Sequence, residues 1–217
     1  MSTDYLRRFT DIPALISLLT NRMITLLDPE SWDDSNDSHY LARYREKEKF
    51  QSVLALCFTQ AEEKYHHWRV FANGSAGVCI RFDRPQLLKA VRKQPGIRMR
   101  TVEYHTLAEI ENRRPKTPDL PFLKRHGFED ENEFRIIYES PTRNVSKLHI
   151  AIPLSCIERI TLSPWLPPAL YSNLKAIIKS IEDCRELHIV RSTLVDNEKW
   201  KRFGDSATRP ARKNGGR

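Results

Sequence analysis

The residues best suited to chemistry lie in an acidic segment, Glu129 to Glu133, that leads into an apolar run. Glu131 and Glu133 are two positions apart. Because alternate side chains of a strand point to one face, this spacing predicts two neighbouring carboxylates. Such a pair can hold a ribose hydroxyl or stabilise a developing positive charge. It can equally be a charged strand end paired with Arg135, and the spacing alone leaves both interpretations open.

Several arginines and aromatic residues offer a second kind of site. Arg8 and Arg81 lie within apolar, strand-like segments, where an arginine either faces solvent or clamps an anion. Tyr65, Trp68 and Arg69 lie in one short helical segment, and the two aromatic rings offer flat surfaces for a base or a nicotinamide. The helical spacing of these rings is also typical of core packing, so both interpretations stay open.

The common catalytic and metal-binding motifs are absent from the sequence. It contains no G-x-G-x-x-G, G-x-x-x-x-G-K, H-E-x-x-H or G-x-S-x-G pattern. The adjacent His66 and His67 cannot easily face one metal ion from a helix. The four cysteines form no C-x-x-C pair, so we expect buried thiols in a reducing environment. We therefore expect no metal site.

The net charge of +8 is unevenly distributed along the 217 residues. Residues 84–116 carry +6 and residues 197–217 carry +5, which leaves the rest of the chain at −3. Basic regions of this kind can bind the phosphates of a nucleic acid, although they are also typical of solvated surfaces. We expect possible nucleic-acid contacts through the 84–116 region and the C-terminal tail.

The segments that must position these residues read as a series of short strands and five helices without strict β-α-β alternation. The predicted strands cover residues 5–9, 23–27, 53–58, 77–82, 97–104, 134–138, 148–152, 160–162 and 187–190. One predicted helix follows residue 11, three span residues 39–50, 65–72 and 86–93, and the fifth begins at Pro168. Loops are predicted over residues 28–37 and 111–121. This pattern predicts an α+β fold in which helices pack on a mixed or antiparallel sheet.

The organisation of the chain follows from its composition and length. The pattern predicts a single domain over residues 1–203 and a basic, disordered tail over residues 204–217. The sequence has no apolar run of the ~20 residues that would span a bilayer and no signal peptide at its start. We therefore expect a cytoplasmic protein, for which a protein partner or antitoxin is also conceivable.

Taken in order, short motifs along almost the whole chain resemble the bacterial domain of unknown function 2971 family. The matching segments are Arg8-Phe9, the loop Asp28–Asp37, Leu56-Cys57-Phe58-Thr59, Trp68 followed by Gly77-Val78-Cys79-Ile80, Glu131-x-Glu133-x-Arg135, Ile160–Pro164 and Arg191-Ser192-Thr193. The loop departs from the family pattern, because the usual Asn-Asp-Pro is replaced by Trp32-Asp33-Asp34-Ser35.

A more distant resemblance connects the chain to the ADP-ribosyltransferase fold of DNA-modifying bacterial toxins. It rests on the early strand with Arg8, the late Glu-x-Glu segment, and the turn from Pro153 to Ile157. The resemblance implies that Glu133 is the catalytic carboxylate and that Glu131 activates the acceptor. It also implies NAD as the ADP-ribose donor.

The same resemblance assigns binding roles to other residues. Arg8 would hold the dinucleotide, and Tyr65 or Trp68 would stack on the nicotinamide, with Arg69 and Arg81 as further binding residues. It implies a toxin or phage-defence effector that modifies a nucleic acid or a protein.

Two alternatives stay open. One is a non-catalytic basic module that binds nucleic acid or protein. The other is a metal-dependent nuclease that uses Glu129, Asp130, Glu131 and Glu133, although the sequence places no lysine beside them.

Overall fold

A computed structural model of the protein describes residues 4–72 and 74–208. Within these residues, the predicted mixture of strands and helices is confirmed, and most strands join one nine-stranded sheet. The strands are β1 Tyr5–Asp11, β2 Met23–Leu27, β3 Ser52–Thr59, β4 Gly77–Asp83, β5 Ile97–Thr101, β6 Glu103–His105, β7 Leu123–Arg125, β8 Glu133–Ser140, β9 Lys147–Ala151, β10 Ile157–Leu162 and β11 Ile189–Arg191. The α-helices are α1 Ile12–Asn21, α2 Ser35–Lys47, α3 Tyr65–Phe71, α4 Arg84–Val91, α5 Leu107–Asn112, α6 Pro168–Ser180 and α7 Glu198–Ala207.

The strand order of the main sheet is β11-β10-β4-β1-β3-β2-β9, and β8 and β5 extend it from the remaining edge of β3. Its pairs are antiparallel except for the parallel pair of β10 and β11, so the sheet is mixed, as predicted. The strands β6 and β7 form a separate parallel pair. The predicted strand over 97–104 is therefore divided between two sheets.

Strand β3 is the point at which the main sheet splits. One edge of β3 pairs with β8 along its whole length, ending at Thr59↔Glu133. Along the other edge, β3 pairs with β1 at Arg7↔Thr59 and with β2 at Leu27↔Ala55. On its opposite edge, β1 pairs with β4 over its full length, whereas its pairing with β3 is confined to Arg7↔Thr59, so β1 and β3 separate beyond that pair.

The two faces of the sheet are covered differently. The main hydrophobic core lies on the face that carries Leu6, Leu56 and Ile136, all of them buried. On the other face, α3 covers β1 and β4 through Trp68, which packs edge-on against Phe9 at 5.1 Å between ring centroids. The same face of β3 and β8 is covered by a second cluster that includes Phe122.

Three segments differ from the sequence-based expectation. Helix α2 begins at Ser35 because the side chain of Asp34 accepts hydrogen bonds from the next backbone amides, which caps a helix inside the predicted loop. The predicted loop over 111–121 contains a 3-10 turn, Thr117–Phe122. Helix α7 continues to Ala207, so the first residues of the predicted tail are helical, whereas residues 209–217 lie outside the described residues.

Among the residues that the structure describes, no helix combines the length and the apolar character needed to cross a membrane. The four cysteines are free thiols, as expected. Cys79, Cys156 and Cys184 are buried, and Cys57 is half-buried.

Candidate active site at the split of the sheet

A cavity of about 280 Å³ opens where β1 and β3 separate. Strand β1, the end of β3, the start of β8 and the last residue of α3 supply its walls. The lining residues are Arg7, Arg8, Phe9, Thr10, Cys57, Phe58, Thr59, Phe71, Glu131 and Glu133. The cavity therefore brings together residues that lie more than a hundred positions apart in the sequence.

The carboxylate of Glu133 is fixed by the buried guanidinium of Arg135. Arg135 Nε donates to Oε1 of Glu133 at 2.6 Å, and Nη2 donates to Oε2 at 2.8 Å. The same guanidinium binds both carboxylate oxygens of Asp37, at 2.7 and 2.6 Å, and the carbonyl oxygen of Pro121. The ion pair that the sequence left as an alternative interpretation is therefore present, and it orients the carboxylate at the cavity wall.

Lys124 adds a second buried cation to this cluster. Its Nζ lies 2.7 Å from the carboxylate of Glu131, and 3.7 Å from a carboxylate oxygen of both Glu133 and Asp37. Two cations thus face three carboxylates, so the cluster carries one excess negative charge when all five groups are ionised. An excess negative charge at this wall favours a positive charge that develops beside it.

Burial and ion pairing shift the carboxyl pKa values in opposite directions. For Glu133, burial raises the pKa, but the charge and hydrogen bonds of Arg135 outweigh burial, so the pKa lies below its usual value. For Asp37 and Glu131, burial outweighs the nearby cations, so the pKa of each lies above its usual value. Glu133 is therefore the carboxyl that stays ionised, and Glu131 is the one that binds a proton more readily.

The predicted geometry of the two glutamates is corrected in one respect. Strand β8 begins at Glu133, and Glu131 lies in the preceding 3-10 turn. Asn132 between them adopts a left-handed conformation with φ of 42°, so strand alternation does not relate the two side chains. They share the cavity wall because both contact Lys124.

The other wall of the cavity carries Arg8. This side chain is half-buried, and burial lowers the pKa of its guanidinium from the usual value. It makes no hydrogen bond and no ion pair with any other described residue. Arg7, by contrast, is buried and bound to the carbonyl oxygen of Ala61 and the carboxylate of Glu62. Arg8 is thus the arginine of the cavity that retains its capacity to bind an anion.

Three aromatic residues, Phe9, Phe58 and Phe71, line the cavity; Phe9 and Phe58 are buried, whereas Phe71 is 42% exposed. The sequence analysis had assigned the stacking role to other residues of α3. Trp68 is fully buried, and its indole nitrogen donates to Glu63 at 2.8 Å. Tyr65 and Arg69 form a surface group with Trp165, in which the guanidinium lies 4.3 Å from the Trp165 ring.

Arg81 also lies outside the cavity lining. Its guanidinium forms a two-bond ion pair with Glu158 and lies 4.5 Å from the ring of Tyr5. Among the seven residues assigned from the sequence, the structure brings Arg8, Glu131 and Glu133 to one cavity. It places Tyr65, Trp68, Arg69 and Arg81 elsewhere.

Two of the nine Lys/Arg residues of the 84–116 region form ion pairs within the described part of the protein. Arg98 pairs with Glu139, and Arg100 pairs with Asp119. Arg84 donates to the side chain of Gln60. These three arginines fasten β5 and α4 to their surroundings.

Sequence reasoning missed two members of the cluster. Asp37 and Lys124 were not singled out, since the fold alone brings α2 and β7 to the start of β8. Arg135 was considered only as an ion-pair partner. Among the described residues, no group of three or more His, Cys, Asp or Glu side chains is arranged to hold a metal ion.

Three solved structures resemble the chain over most of its length. They are complexes of DarT from Thermus sp. 2.9 with carba-NAD+, with NAD+ and with ADP-ribosylated ssDNA. Their TM-scores are 0.45, 0.43 and 0.45, at 10%, 11% and 10% sequence identity. Each match covers 88% of this chain, and 97%, 96% and 94% of the respective DarT chains.

No protein-family model matches the chain, and no curated protein matches it. The resemblance to the domain of unknown function 2971 family therefore stays a prediction.

Proposed function

We propose that the protein is an ADP-ribosyltransferase-like enzyme that uses NAD to modify a macromolecule, with a nucleic acid as the favoured acceptor. The observation that carries this proposal is the shared cavity of Arg8, Glu131 and Glu133 at the split of the sheet. It joins a cation without a partner among the described residues to an ionised carboxylate. An activity of this kind fits a toxin or a phage-defence effector, which is the role that the family resemblance implies.

The two walls of the cavity suit the two ends of such a donor. An arginine fork binds phosphate oxygens through charge-assisted hydrogen bonds, which assigns the pyrophosphate to Arg8. Phe71 offers an exposed ring on which a nicotinamide can stack. Small-molecule pockets usually measure ~300–1,000 Å³. A cavity of about 280 Å³ therefore encloses one end of the dinucleotide and leaves the adenosine on the surface.

The carboxylate of Glu133 is suited to the bond-breaking step. The bond between C1′ of the ribose and the nicotinamide nitrogen breaks, nicotinamide leaves with the bonding electrons, and positive charge develops on the ribose. Arg135 uses one lone pair of each Glu133 oxygen, and the remaining lone pairs can accept hydrogen bonds from ribose hydroxyls. The negative charge of Glu133 then stabilises the developing positive charge.

Glu131 is suited to the second half of the reaction. The acceptor attacks C1′, forms the new bond and loses a proton. The carboxylate of Glu131 takes up that proton, and its raised pKa makes it a better base than an ordinary glutamate. Lys124, 2.7 Å away, keeps Glu131 ionised before the proton arrives.

The test is a transfer assay with NAD labelled on the adenylate phosphate, in the presence of oligonucleotides or cell lysate. Wild-type protein is compared with Glu133→Gln, which keeps the shape of the side chain and removes its charge. The matched control is Glu129→Gln, the same substitution at an exposed position of the same acidic segment. We expect label transfer by the wild type and the control, and a loss of ~100-fold or more in Glu133→Gln.

A binding measurement keeps the test informative if the acceptor is not in the mixture. NAD at one hundred times its Kd stabilises a protein by ~2.7 kcal/mol, which raises the melting temperature by roughly 5–10 °C for a chain of this size. We expect this shift in the wild type and its loss in Arg8→Gln. If NAD neither shifts the melting temperature nor labels any acceptor, the assignment is wrong.

A metal-dependent nuclease is the second candidate, and one observation favours it. The sequence placed no lysine beside the acidic segment, but the fold brings Lys124 within 3.7 Å of Asp37 and Glu133. Against it, Arg135 and Lys124 already occupy the space between the carboxylates. Cleavage of an oligonucleotide that requires added Mg²⁺ and is lost in Lys124→Gln would support the nuclease instead. Nucleic-acid binding without either reaction would support a non-catalytic module.

A further inference from the structure

A row of directly paired residues crosses five strands of the main sheet and ends at the candidate site. The register pairs are Glu133↔Thr59, Thr59↔Arg7, Arg7↔Arg81 and Arg81↔Arg159. Side chains of directly paired residues lie on the same face of a sheet. With strands ~4.8 Å apart, the row spans about 20 Å. We call Arg7, Arg81 and Arg159 the arginine row.

Three like charges in neighbouring register positions repel one another unless anions neutralise them. Arg7 is paired with Glu62, and Arg81 is paired with Glu158. Arg159, at the outer end, makes no ion pair and no side-chain hydrogen bond with the described residues. Its Nε is buried and has no acceptor among them. The Nη atoms of Arg159 are not buried in this way and have no partner among the described residues, so they are the donors that an anionic ligand can reach.

The outer end of the row has further features of a nucleic-acid site. The side chain of Arg81 is 18% exposed and stacks against the ring of Tyr5 at 4.5 Å. A partly exposed guanidinium beside an aromatic ring is a common element of sites that bind single strands. The row thus has a net positive outer end at Arg159 and a net negative inner end at Glu133.

We propose that Arg159, with Arg81, binds a backbone phosphate of a single-stranded nucleic-acid acceptor, and that the strand continues from there toward Glu133 over the segment Ala61–Glu62, which covers the buried Arg7. The polarity of the row fits this use, because the anionic backbone is attracted to the outer end. The developing positive charge of the reaction is stabilised at the inner end. The direction toward Glu133 rests on the proposed transferase function, whereas phosphate binding at Arg159 does not.

The experiment measures binding of a fluorescent single-stranded oligonucleotide by anisotropy, in the absence of NAD and at several salt concentrations. Arg159→Gln is compared with the wild type and with Arg43→Gln. Arg43 is exposed on α2 and pairs there with Glu46, so Arg43→Gln is the matched control that also removes one positive charge. We expect Arg159→Gln to weaken binding several-fold and to reduce the slope of log K against log salt by ~0.7, the value of one single-strand phosphate contact.

Three further measurements test the integrity of the fold, the role of the positive charge and the source of the phosphate. If Arg159→Gln melts at the same temperature as the wild type, unfolding does not explain its loss of affinity. Arg159→Lys keeps the positive charge and should recover most of the affinity for the oligonucleotide. NAD binding should be unchanged in Arg159→Gln. Equal affinities and equal salt slopes in Arg159→Gln and Arg43→Gln would overturn the inference. Weakened NAD binding would overturn it too, since the phosphate would then belong to the dinucleotide. Failure of the transfer assay alone would leave phosphate binding at Arg159 standing.

Discussion

Arg135 holds Glu133 by both carboxylate oxygens, at 2.6 and 2.8 Å, and the same guanidinium holds both oxygens of Asp37. One side chain therefore orients the candidate catalytic carboxylate and joins β8 to α2. Arg135 is fully buried, so water does not screen these interactions. The cluster is both a structural element and the support of the site.

Removing Arg135 should strongly destabilise the protein. In Arg135→Met, the carboxylates of Asp37 and Glu133 remain buried without their main cation, and such losses cost ~3–5 kcal/mol. Arg43→Met, which removes an exposed ion pair with Glu46, should cost ~1 kcal/mol or less. Chemical denaturation of the two variants measures both values. Equal stabilities of the two variants would show that the buried cluster contributes no more than a surface pair.

Glu131→Gln should separate transfer from NAD cleavage. The substitution removes the base that takes up the acceptor proton but leaves the carboxylate of Glu133 in place. We expect transfer of ADP-ribose to the acceptor to fall ~10²–10⁴-fold, whereas hydrolysis of NAD, in which water replaces the acceptor and nicotinamide is released, persists. Transfer by the wild type should also rise with pH through a pKa above the ordinary 4.5 of a glutamate, because the ionised form of Glu131 is the active one. Persistence of that rise in Glu131→Gln would assign it to another group.

Phe71→Ala should weaken NAD binding without destabilising the protein. The ring lines the cavity and is 42% exposed, so its removal takes away a stacking surface and little core packing. Losses of base–aromatic stacking are worth ~1–3 kcal/mol, which predicts a Kd that rises about 5- to 150-fold. Val70→Ala, one residue earlier and 66% exposed, is the matched control and should bind NAD normally. Calorimetric titration distinguishes the two variants, and unchanged affinity in Phe71→Ala would remove the stacking role.

His67 should make the protein less stable in mildly acidic solution. Burial, with a contribution from the neighbouring His66, lowers the pKa of His67 to about 4, from an ordinary 6.5. Between these two values the unfolded chain binds a proton that the folded protein excludes. Stability therefore decreases as the pH falls from about 6.5 to about 4, by at most ~1.4 kcal/mol per pH unit.

Denaturation at a series of pH values checks this dependence. His67→Gln cannot take up the proton, so we expect a flatter profile over the same range. His188→Gln, the same substitution at an exposed histidine, should retain the wild-type profile. A wild-type slope in His67→Gln would assign the dependence to other groups.

The amino-acid sequence by itself determined most of the elements and placed the acidic segment at the start of a strand. Apolar alternation and runs marked nearly every strand, because a strand that is buried on one or both faces must be apolar there. The position of Glu133 at the start of β8 followed from the change from acidic to apolar residues. Helix α7 was missed because its neighbourhood is basic and polar, which is also typical of a disordered tail.

Only the tertiary structure decided which residues share the site. Asp37, Lys124 and Arg135 meet because separate elements converge at the start of β8, and no local pattern records a contact between residues 98 positions apart. The split between β1 and β3, which creates the cavity, depends on strand pairing over long distances along the chain. Trp68 is a further residue whose place only the tertiary structure decided. Its helical spacing fits both a ligand surface and a core, and its burial against Phe9 places it in the core. Local patterns fix which face of an element is apolar, whereas the long-range pairing of strands determines which polar groups meet.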